Sequence, residues 1–415
     1  MKRKIVIAAV SLFIAVIIFS GGFLSGYILT GAGDYFSSII PGSSKPSVEN
    51  EESSVKNSSD KDSGILAISE TIDYVLANAL NEKTRQELIR AAIEGILTEL
   101  QDRYADYFPK EEYEKIMESY SGTMSGIGVV VTIDDEGQVL IIKTIEGTPA
   151  HKKGVKEGDI IIAVNGKDIK DMALDQVVAM IKGKEGTAVN IKIFRPSENK
   201  NIDFKITRQR FYVPNYFVDV VDDGIIYIQY IDFQEKGAEK LNGELKKVLG
   251  SEANGIILDL RNNLGGILDD AVAFCDLFLD KGVIVTVRGR SNNQESFEEF
   301  DAKKGGYTEI PVVVLINGYS ASAAELAAGA LKDNGRAVIV GEKSFGKGTV
   351  QVLNNLSDGS GIKYTTAKYY LPSGATIDGV GIEPDITVIL TPEDTEDMQL
   401  NRAVEEIKKM IGNQS

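Results

Sequence analysis

The chain has 415 residues, enough for two or three globular units, and its 43% hydrophobic and 26% charged content suits a folded body. A net charge of −16 argues against nucleic acid as a partner, since phosphate binding needs clustered Lys and Arg. One cysteine, Cys275, excludes an internal disulfide and a Cys-rich zinc site; one histidine, His151, leaves any His-based triad or metal site dependent on a single residue.

The chain opens on Met1-Lys2-Arg3-Lys4, and no charged residue follows from Ile5 to Gly33. That length spans a bilayer, and the basic flank predicts a cytoplasmic N-terminus with the body exported. A cleaved signal peptide is the competing reading, because the densest apolar part, Ile5–Phe19, is short. Residues 34–64 read as a flexible linker, their Pro41–Gly64 part rich in Ser, Glu, Lys and Asn. Residues 65–118 form a helical region. Leu88, Ile89, Ala92, Ile93, Ile96, Leu97 and Leu100 repeat at helical spacing, and Pro109 is expected to end or interrupt it. Too small to bury both faces, this unit is expected to pack on the main body or another subunit. Its Asp and Glu residues read as a solvated face.

Over 119–208, Ser125-Gly126-Ile127-Gly128-Val129 opens a strand, and Gly154–Ile161 and Val164-Asn165-Gly166 follow, the latter a tight-turn signal. Leu174, Val177, Val178 and Ile181 mark a short helix, and Val189–Phe194 alternates like a strand. This order resembles a PDZ domain, mostly β. The resemblance implies peptide binding by strand addition, with backbone N–H groups of Gly126, Ile127, Gly128 and Val129 offered to a terminal carboxylate and the peptide lying against the Leu174–Ile181 helix. His151 falls in a surface connector.

From 209 to 390, strands at Ile225–Tyr230, Gly255–Leu260, Val283–Val287, Val312–Ile316 and Ala337–Val340 alternate with helices at Lys236–Leu249, Leu268–Leu279 and Ala323–Asp333. The alternation predicts an α/β layered core with largely parallel strands. Cys275, in the apolar run Ala271–Leu279, reads as a buried small hydrophobe. Three stretches carry chemistry: Asp259-Leu260-Arg261-Asn262-Asn263-Leu264-Gly265-Gly266, Tyr319-Ser320-Ala321-Ser322-Ala323-Ala324-Glu325, and Gly346-Lys347-Gly348-Thr349-Val350-Gln351, with Tyr369–Gly374 in support. A serine where a buried strand turns into a helix sits beside free N–H groups able to hold an oxyanion, although Ser-Ala-Ser-Ala could equally cap a tightly packed helix. A serine needs a base. A lysine can serve when burial and nearby positive charge bring it toward neutrality, and Lys347 lies between two glycines, although a solvated loop lysine is the ordinary alternative. Gln351 shares a face with Lys347 and can orient the amine without adding charge.

Together the stretches, in the order helical segment, PDZ domain, core, resemble the carboxy-terminal processing (tail-specific) serine proteases. The resemblance implies an α/β multidomain fold with a Ser/Lys protease core of the ClpP/crotonase-like type. It implies Ser322, not Ser320, as nucleophile, Lys347 as general base and Gln351 as its positioner. The oxyanion hole would draw on the Ala323 N–H and a glycine N–H from Gly265-Gly266. The family's Asn-Asn-Pro-Gly-Gly is Asn262-Asn263-Leu264-Gly265-Gly266 here, its third serine is Ala324, and Lys182 stands where relatives carry an arginine, which weakens any relay that needs a planar donor fork.

The implied activity is an endopeptidase cutting exported proteins near their C-terminus, the PDZ domain reading the tail and gating the cleft. No metal or cofactor is required. Protein substrates with free C-termini, the bacterial cytoplasmic membrane reached by a single-pass anchor with the catalytic domain outside, and a second copy of the chain are the expected partners. A catalytically dead PDZ scaffold would leave the Ser322, Lys347 and Gln351 spacing an accident, and a metallopeptidase lacks any His-Glu-x-x-His pattern. Residues 391–415 show helical spacing at Leu400, Val404, Ile407 and Ile411, and are expected to dock onto the N-terminal helices of this chain or a partner.

Overall fold

Near-continuous apolar runs at Ile225–Tyr230, Gly255–Asp259 and Val312–Ile316 produce strands buried on both faces, the condition of a parallel sheet covered by helices on each side. The structure, a computed structural model, describes residues 51–412 apart from 135, 223, 249–252 and 304. The apolar segment Ile5–Gly33 and its basic flank lie outside the described residues. Among the described residues no helix is long and apolar enough to cross a membrane.

The first part of the chain contains α1 (Glu51–Asn78), α2 (Arg85–Glu99), β1 (Asp106–Phe108) and α3 (Lys110–Tyr120). Helix α1 takes in Glu51–Gly64, the end of the segment that composition marks as a tether; a polar stretch free of proline builds no core but can still be helical. Helix α2 begins at a capping box between Thr84 and Glu87 and ends well before Pro109, which instead stands at the N-cap of α3. Of the apolar stripe on α2, Leu97 is buried while Ile89, Ile96 and Leu100 remain exposed.

Next come β2 (Thr123–Gly126), β3 (Val129–Ile133), β4 (Val139–Thr144), α4 (Pro149–Lys153), β5 (Ile160–Val164), β6 (Lys167–Asp168), α5 (Leu174–Ile181), β7 (Ala188–Arg195), β8 (Lys200–Thr207) and β9 (Gln209–Tyr212). Strands β3-β4-β5-β7-β8 form an antiparallel sheet with β3 at its edge. Its core joins Ile141, Val164, Val189 and Ile193 to Val177 and Ile181 of α5. Asp159, within the Gly-Asp-Ile-Ile motif, grips the buried Arg195 through two bonds of 2.7 and 2.8 Å. Strands β2 and β9 pair as a ribbon at the two ends of this unit.

The core follows: β10 (Tyr216–Asp222), β11 (Ile225–Tyr230), α6 (Gly237–Val248), β12 (Gly255–Asp259), α7 (Leu268–Asp276), β13 (Val283–Ser291), β14 (Gln294–Asp301), β15 (Val312–Ile316), α8 (Ala323–Asp333), β16 (Ala337–Gly341), β17 (Thr349–Asn355), β18 (Gly361–Tyr370), β19 (Ile386–Thr387) and α9 (Met398–Gly412). The main sheet runs β10-β11-β12-β15-β16-β19, parallel except at β10. One face packs on α6, α7 and α8 through Leu241, Phe274 and Leu326; Cys275 is buried there, as its apolar run predicts. The other face is covered by α9 through Ala403 and Ile407. This corrects the expectation that the C-terminal helix docks on the N-terminal helices. Gly255 explains it: a Cβ there would stand 2.3 Å from Ile407, so the bare backbone of β12 receives that side chain.

Strand β13, counted from sequence with the alternating α/β set, belongs instead to a second, antiparallel sheet of β1, β18, β13 and β14, with β17 on the other edge of β18. Strand β1 pairs with residues 361–363 of β18. Behind it Phe108, Leu353, Tyr113 and Met117 form a small apolar cluster. The N-terminal segment is thereby stapled onto the core by β1 and α3.

Candidate active site

Ser322 stands where β15 has ended and α8 begins, as the residue before the first helical turn. Its φ of +62° and ψ of −115° place a non-glycine residue in a strained turn, a conformation that surrounding contacts must hold. They do so on three sides. Asn263 O accepts from Ala321 N at 2.9 Å, and Tyr369 Oη donates to Ser322 O at 3.0 Å. Glu325 accepts from Ser322 N at 2.7 Å. Gly265 lies directly against the turn with φ +105°; a Cβ there would sit 2.8 Å from Ser322 Cβ and 3.0 Å from Ala323 N. Only glycine fits.

The two serines of the motif differ in kind. Ser320 Oγ donates to Leu260 O at 2.8 Å and accepts from Asn317 N at 2.9 Å, so its hydroxyl is structural. Ser322 Oγ is fully buried and makes no hydrogen bond among the described residues. A buried hydroxyl without a partner is costly, and a reacting group is one reason to keep it.

The loop carrying Lys347 is hung from the same carboxylate that holds Ser322. Glu325 Oε2 accepts from both Ser322 N (2.7 Å) and Lys347 N (2.8 Å), and Oε1 accepts from Gly346 N (2.6 Å) and Ser344 Oγ (2.5 Å). Burial raises the Glu325 pKa above the ordinary carboxylate value, and these four donors oppose the rise. Tyr369 Oη adds a second clamp, its single hydrogen shared between the carbonyls of Ser322 and Lys347. Glu325 and Tyr369 stand within the sequence motifs, but nothing in the linear pattern assigns either a task.

Lys347 is 4% exposed, and its Nζ lies 4.6 Å from the centre of the Tyr104 ring. Burial, with Lys363 and Arg103 nearby, lowers its amine to about 7 against the opposing pull of Glu325 and Asp102. An amine titrating there is substantially neutral at physiological pH, the state a general base requires. Gln351, fully buried on β17, donates through Nε2 to Thr349 Oγ1 (2.8 Å) and Thr365 Oγ1 (3.1 Å), while its Oε1 has no partner among the described residues. The Lys347 amine therefore donates to neither Gln351 Oε1 nor Ser322 Oγ in this conformation.

The Asn263-Gly265-Gly266 loop flanks the serine. Asn263 Nδ2 donates to Tyr230 O (2.8 Å), and its Oδ1 accepts from Gly265 N (2.8 Å). Gly265 N–H is thus occupied. No acceptor for Gly266 N–H or Ala323 N–H is found among the described residues.

Asp102 departs from the solvated face expected of the acidic residues in the N-terminal region, because it reaches this site, and Tyr104 of the same segment reaches it too. Asp102 accepts from Thr365 N (2.7 Å) and Thr365 Oγ1 (3.1 Å). The aromatic-rich, non-periodic run Tyr104–Phe108 between a helix and Pro109 was the available signal.

At the PDZ-like unit, Gly126 ends β2, Ile127 is buried, and Val129 opens β3, whose outer edge carries no paired strand among the described residues. Gly128 adopts φ +84° with Thr148 packed where a Cβ would be. Leu174 and Val178 of α5 and Val129 of β3 are only partly buried, so apolar surface remains beside that edge. Lys182 follows α5. Burial lowers its pKa, with Glu118 of α3 pulling the other way. Glu118 also accepts from Ser125 N at 3.0 Å, and Ser125 Oγ donates to Gly183 O at 2.8 Å. Among the described residues no cluster of His, Cys, Asp and Glu is arranged to hold a metal.

Comparison with known proteins agrees with this architecture. Residues 224–388 match peptidase family S41, and residues 116–194 match the PDZ domain. A carboxy-terminal-processing protease of Bartonella bacilliformis is 41% identical over 308 residues, covering 73% of this chain and 70% of that one. A probable CtpA-like serine protease of Staphylococcus aureus is 39% identical over 306 residues, covering 73% of this chain and 60% of its own length. Among solved structures, a photosystem II D1 C-terminal processing protease is similar at 27% identity and a TM-score of 0.45, over 80% of this chain and 89% of that one. The class is a serine peptidase core joined to a PDZ domain. The chain belongs to peptidase family S41, and within it to the carboxy-terminal-processing proteases.

Proposed function

We propose that the chain is a serine endopeptidase with a Ser322/Lys347 dyad that cleaves exported proteins near their C-terminus. The observation carrying this reading is the pairing of a buried hydroxyl without a partner, Ser322 Oγ, with a buried amine lowered to about 7, Lys347, on two backbones held by one Glu325 oxygen.

Neutral Lys347 takes the proton as Ser322 Oγ attacks the scissile carbonyl, then returns it to the leaving amine. The tetrahedral oxyanion is met by Ala323 N–H at the start of α8 and by Gly266 N–H. Water, deprotonated by the same amine, releases the acyl group from Ser322. Gln351 Oε1 accepts an N–H of Lys347 and aims its lone pair. Full burial of Ser322 supports a closed resting state that substrate must open.

The PDZ domain reads the tail: the substrate C-terminus adds to the β3 edge, its carboxylate at the Gly126–Val129 loop. The ties from this loop and Lys182 to Glu118 supply a physical connection from that edge to α3, which packs on the core. The proposed location is the bacterial cytoplasmic membrane with the catalytic part outside. The proposed assembly is a homodimer through the exposed apolar residues of α1 and α2, such as Ile68, Tyr74 and Ile96.

Digestion of unfolded casein tests the chemistry: the wild type cuts, Ser322→Ala and Lys347→Ala do not, and a chelator has no effect. Mass spectrometry of products from a substrate with free and amide-capped C-termini tests tail reading; equal digestion of both would remove it. Carbonate extraction of membranes and sedimentation of the full chain test the anchor and the dimer.

A further inference from the structure

The amide of Gln351 has two faces, and only one is useful. An oxygen turned to Lys347 accepts N–H and leaves the amine lone pair for Ser322. An NH2 turned there would donate into that lone pair and disable the base. Something must set the polarity of this fully buried amide.

The structure contains such a device, and it begins outside the protease core. An ionised carboxylate only accepts hydrogen bonds. Asp102 Oδ1 takes the Thr365 hydroxyl hydrogen at 3.1 Å, and Oδ2 takes Thr365 N–H at 2.7 Å; Oδ1 also takes Tyr104 N–H at 3.0 Å. With its hydrogen directed to Asp102, Thr365 Oγ1 can only accept from Gln351, and it does so from Nε2 at 3.1 Å. Thr349 Oγ1 takes the other hydrogen at 2.8 Å. Both amide hydrogens are then held, and Oε1 is left as the open acceptor of a buried side chain. The β1–β18 pairing sets Asp106 opposite Lys363, and the turn just before β1, closed by Ala105 N–H on Asp102 O, leaves Asp102 at Thr365. The same segment lays the Tyr104 ring over the Lys347 amine.

We propose that Asp102 is a positioning residue of the peptidase, fixing the amide polarity of Gln351 through the Thr365 hydroxyl, so that the segment preceding the PDZ domain completes the active site. This rests on the Ser322/Lys347 reading. In Asp102→Asn a single amide oxygen is contested by Thr365 N–H and Tyr104 N–H, which approach it from its two positions. When the oxygen goes to Thr365 N–H, the NH2 faces Thr365 Oγ1, the hydroxyl accepts there and turns its hydrogen to Gln351, and that amide flips, so the polarity of Gln351 is no longer fixed.

The test is a double-mutant cycle on casein cleavage with the full chain, reading kcat, KM and Tm, with Ser322→Ala as control. Asp102→Asn lowers kcat on the order of 10-fold to 100-fold with KM little changed. The midpoint of its pH profile moves to lower pH, since a charge that raises the lysine pKa is gone. Thr365→Val lowers kcat similarly, Thr365→Ser restores most of it, and Asp102→Asn added to Thr365→Val costs little more. Multiplying losses in the double variant, or an Asp102→Asn kcat within twofold of wild type while Ser322→Ala is inactive, overturns the relay alone. Turnover surviving in Ser322→Ala takes both readings down. Should Asp102→Asn fold poorly by Tm, the Thr365→Val and Thr365→Ser pair decides: equal kcat in the two refutes the relay.

Discussion

Replacing Lys347 by methionine in a Ser322→Ala background isolates the energetic consequence of burying the proposed base. In the folded chain the amine titrates near 7, against an ordinary value of 10.5, with burial the leading cause. At about 1.4 kcal/mol per pKa unit, that gap penalises folding by about 5 kcal/mol wherever lysine is charged in both states. Between pH 7 and 10.5 the unfolded chain keeps the proton that the folded chain has released. The unfolded state binds more protons there, so stability rises with pH across that window and the penalty is complete only below it. Contact of the ammonium with the Tyr104 ring returns about 1 to 2 kcal/mol that methionine forgoes. Lys347→Met is therefore expected to stabilise the core by about 3 kcal/mol at pH 6, the gain vanishing toward pH 10.5. The chain has no tryptophan, so urea unfolding followed by far-UV circular dichroism at several pH values is the measurement. A difference between the two proteins that stays constant from pH 6 to 9.5, or a methionine variant that is the less stable at pH 6, would refute the reasoning. The same titration predicts cleavage by the wild type rising as pH passes about 7.

Other substitutions separate structure from chemistry. Ser320→Ala strips a buried carbonyl, Leu260 O, and a partly buried N–H, Asn317, of their partner, and should cost about 2 kcal/mol in thermal unfolding while leaving measurable cleavage; Ser322→Ala should do the reverse. Gly265→Ala forces a Cβ to within 2.8 Å of Ser322 Cβ at a positive φ, and should lower kcat at least tenfold and destabilise by about 1 to 3 kcal/mol. Arg195→Met leaves Asp159 buried and unpaired, with an expected loss of about 3 to 5 kcal/mol that hydrogen exchange would locate in the β3–β8 sheet.

Short-range order was legible because its causes are short-range. Apolar runs, the Asn-Gly turn and the glycines at 265 and 346 are written within a few residues, and strands β11, β12 and β15 and helix α8 fall within one residue of where those patterns put them. Ser322, Lys347 and Gln351 could be singled out for the same reason, since each sits in a compact motif. What the chain's linear pattern does not carry is the meeting of distant segments. Asp102 and Thr365 lie 263 positions apart, and neither stands in a periodic run that would point to the other. The docking of α9 on the sheet turned on one missing Cβ at Gly255, and the sharing of Glu325 between two loops on the order in which β15 and β16 lie side by side. Hydrogen bonds and close packing act over a few ångströms of space whatever the separation along the chain, so only the folded arrangement decided which residues would share the site.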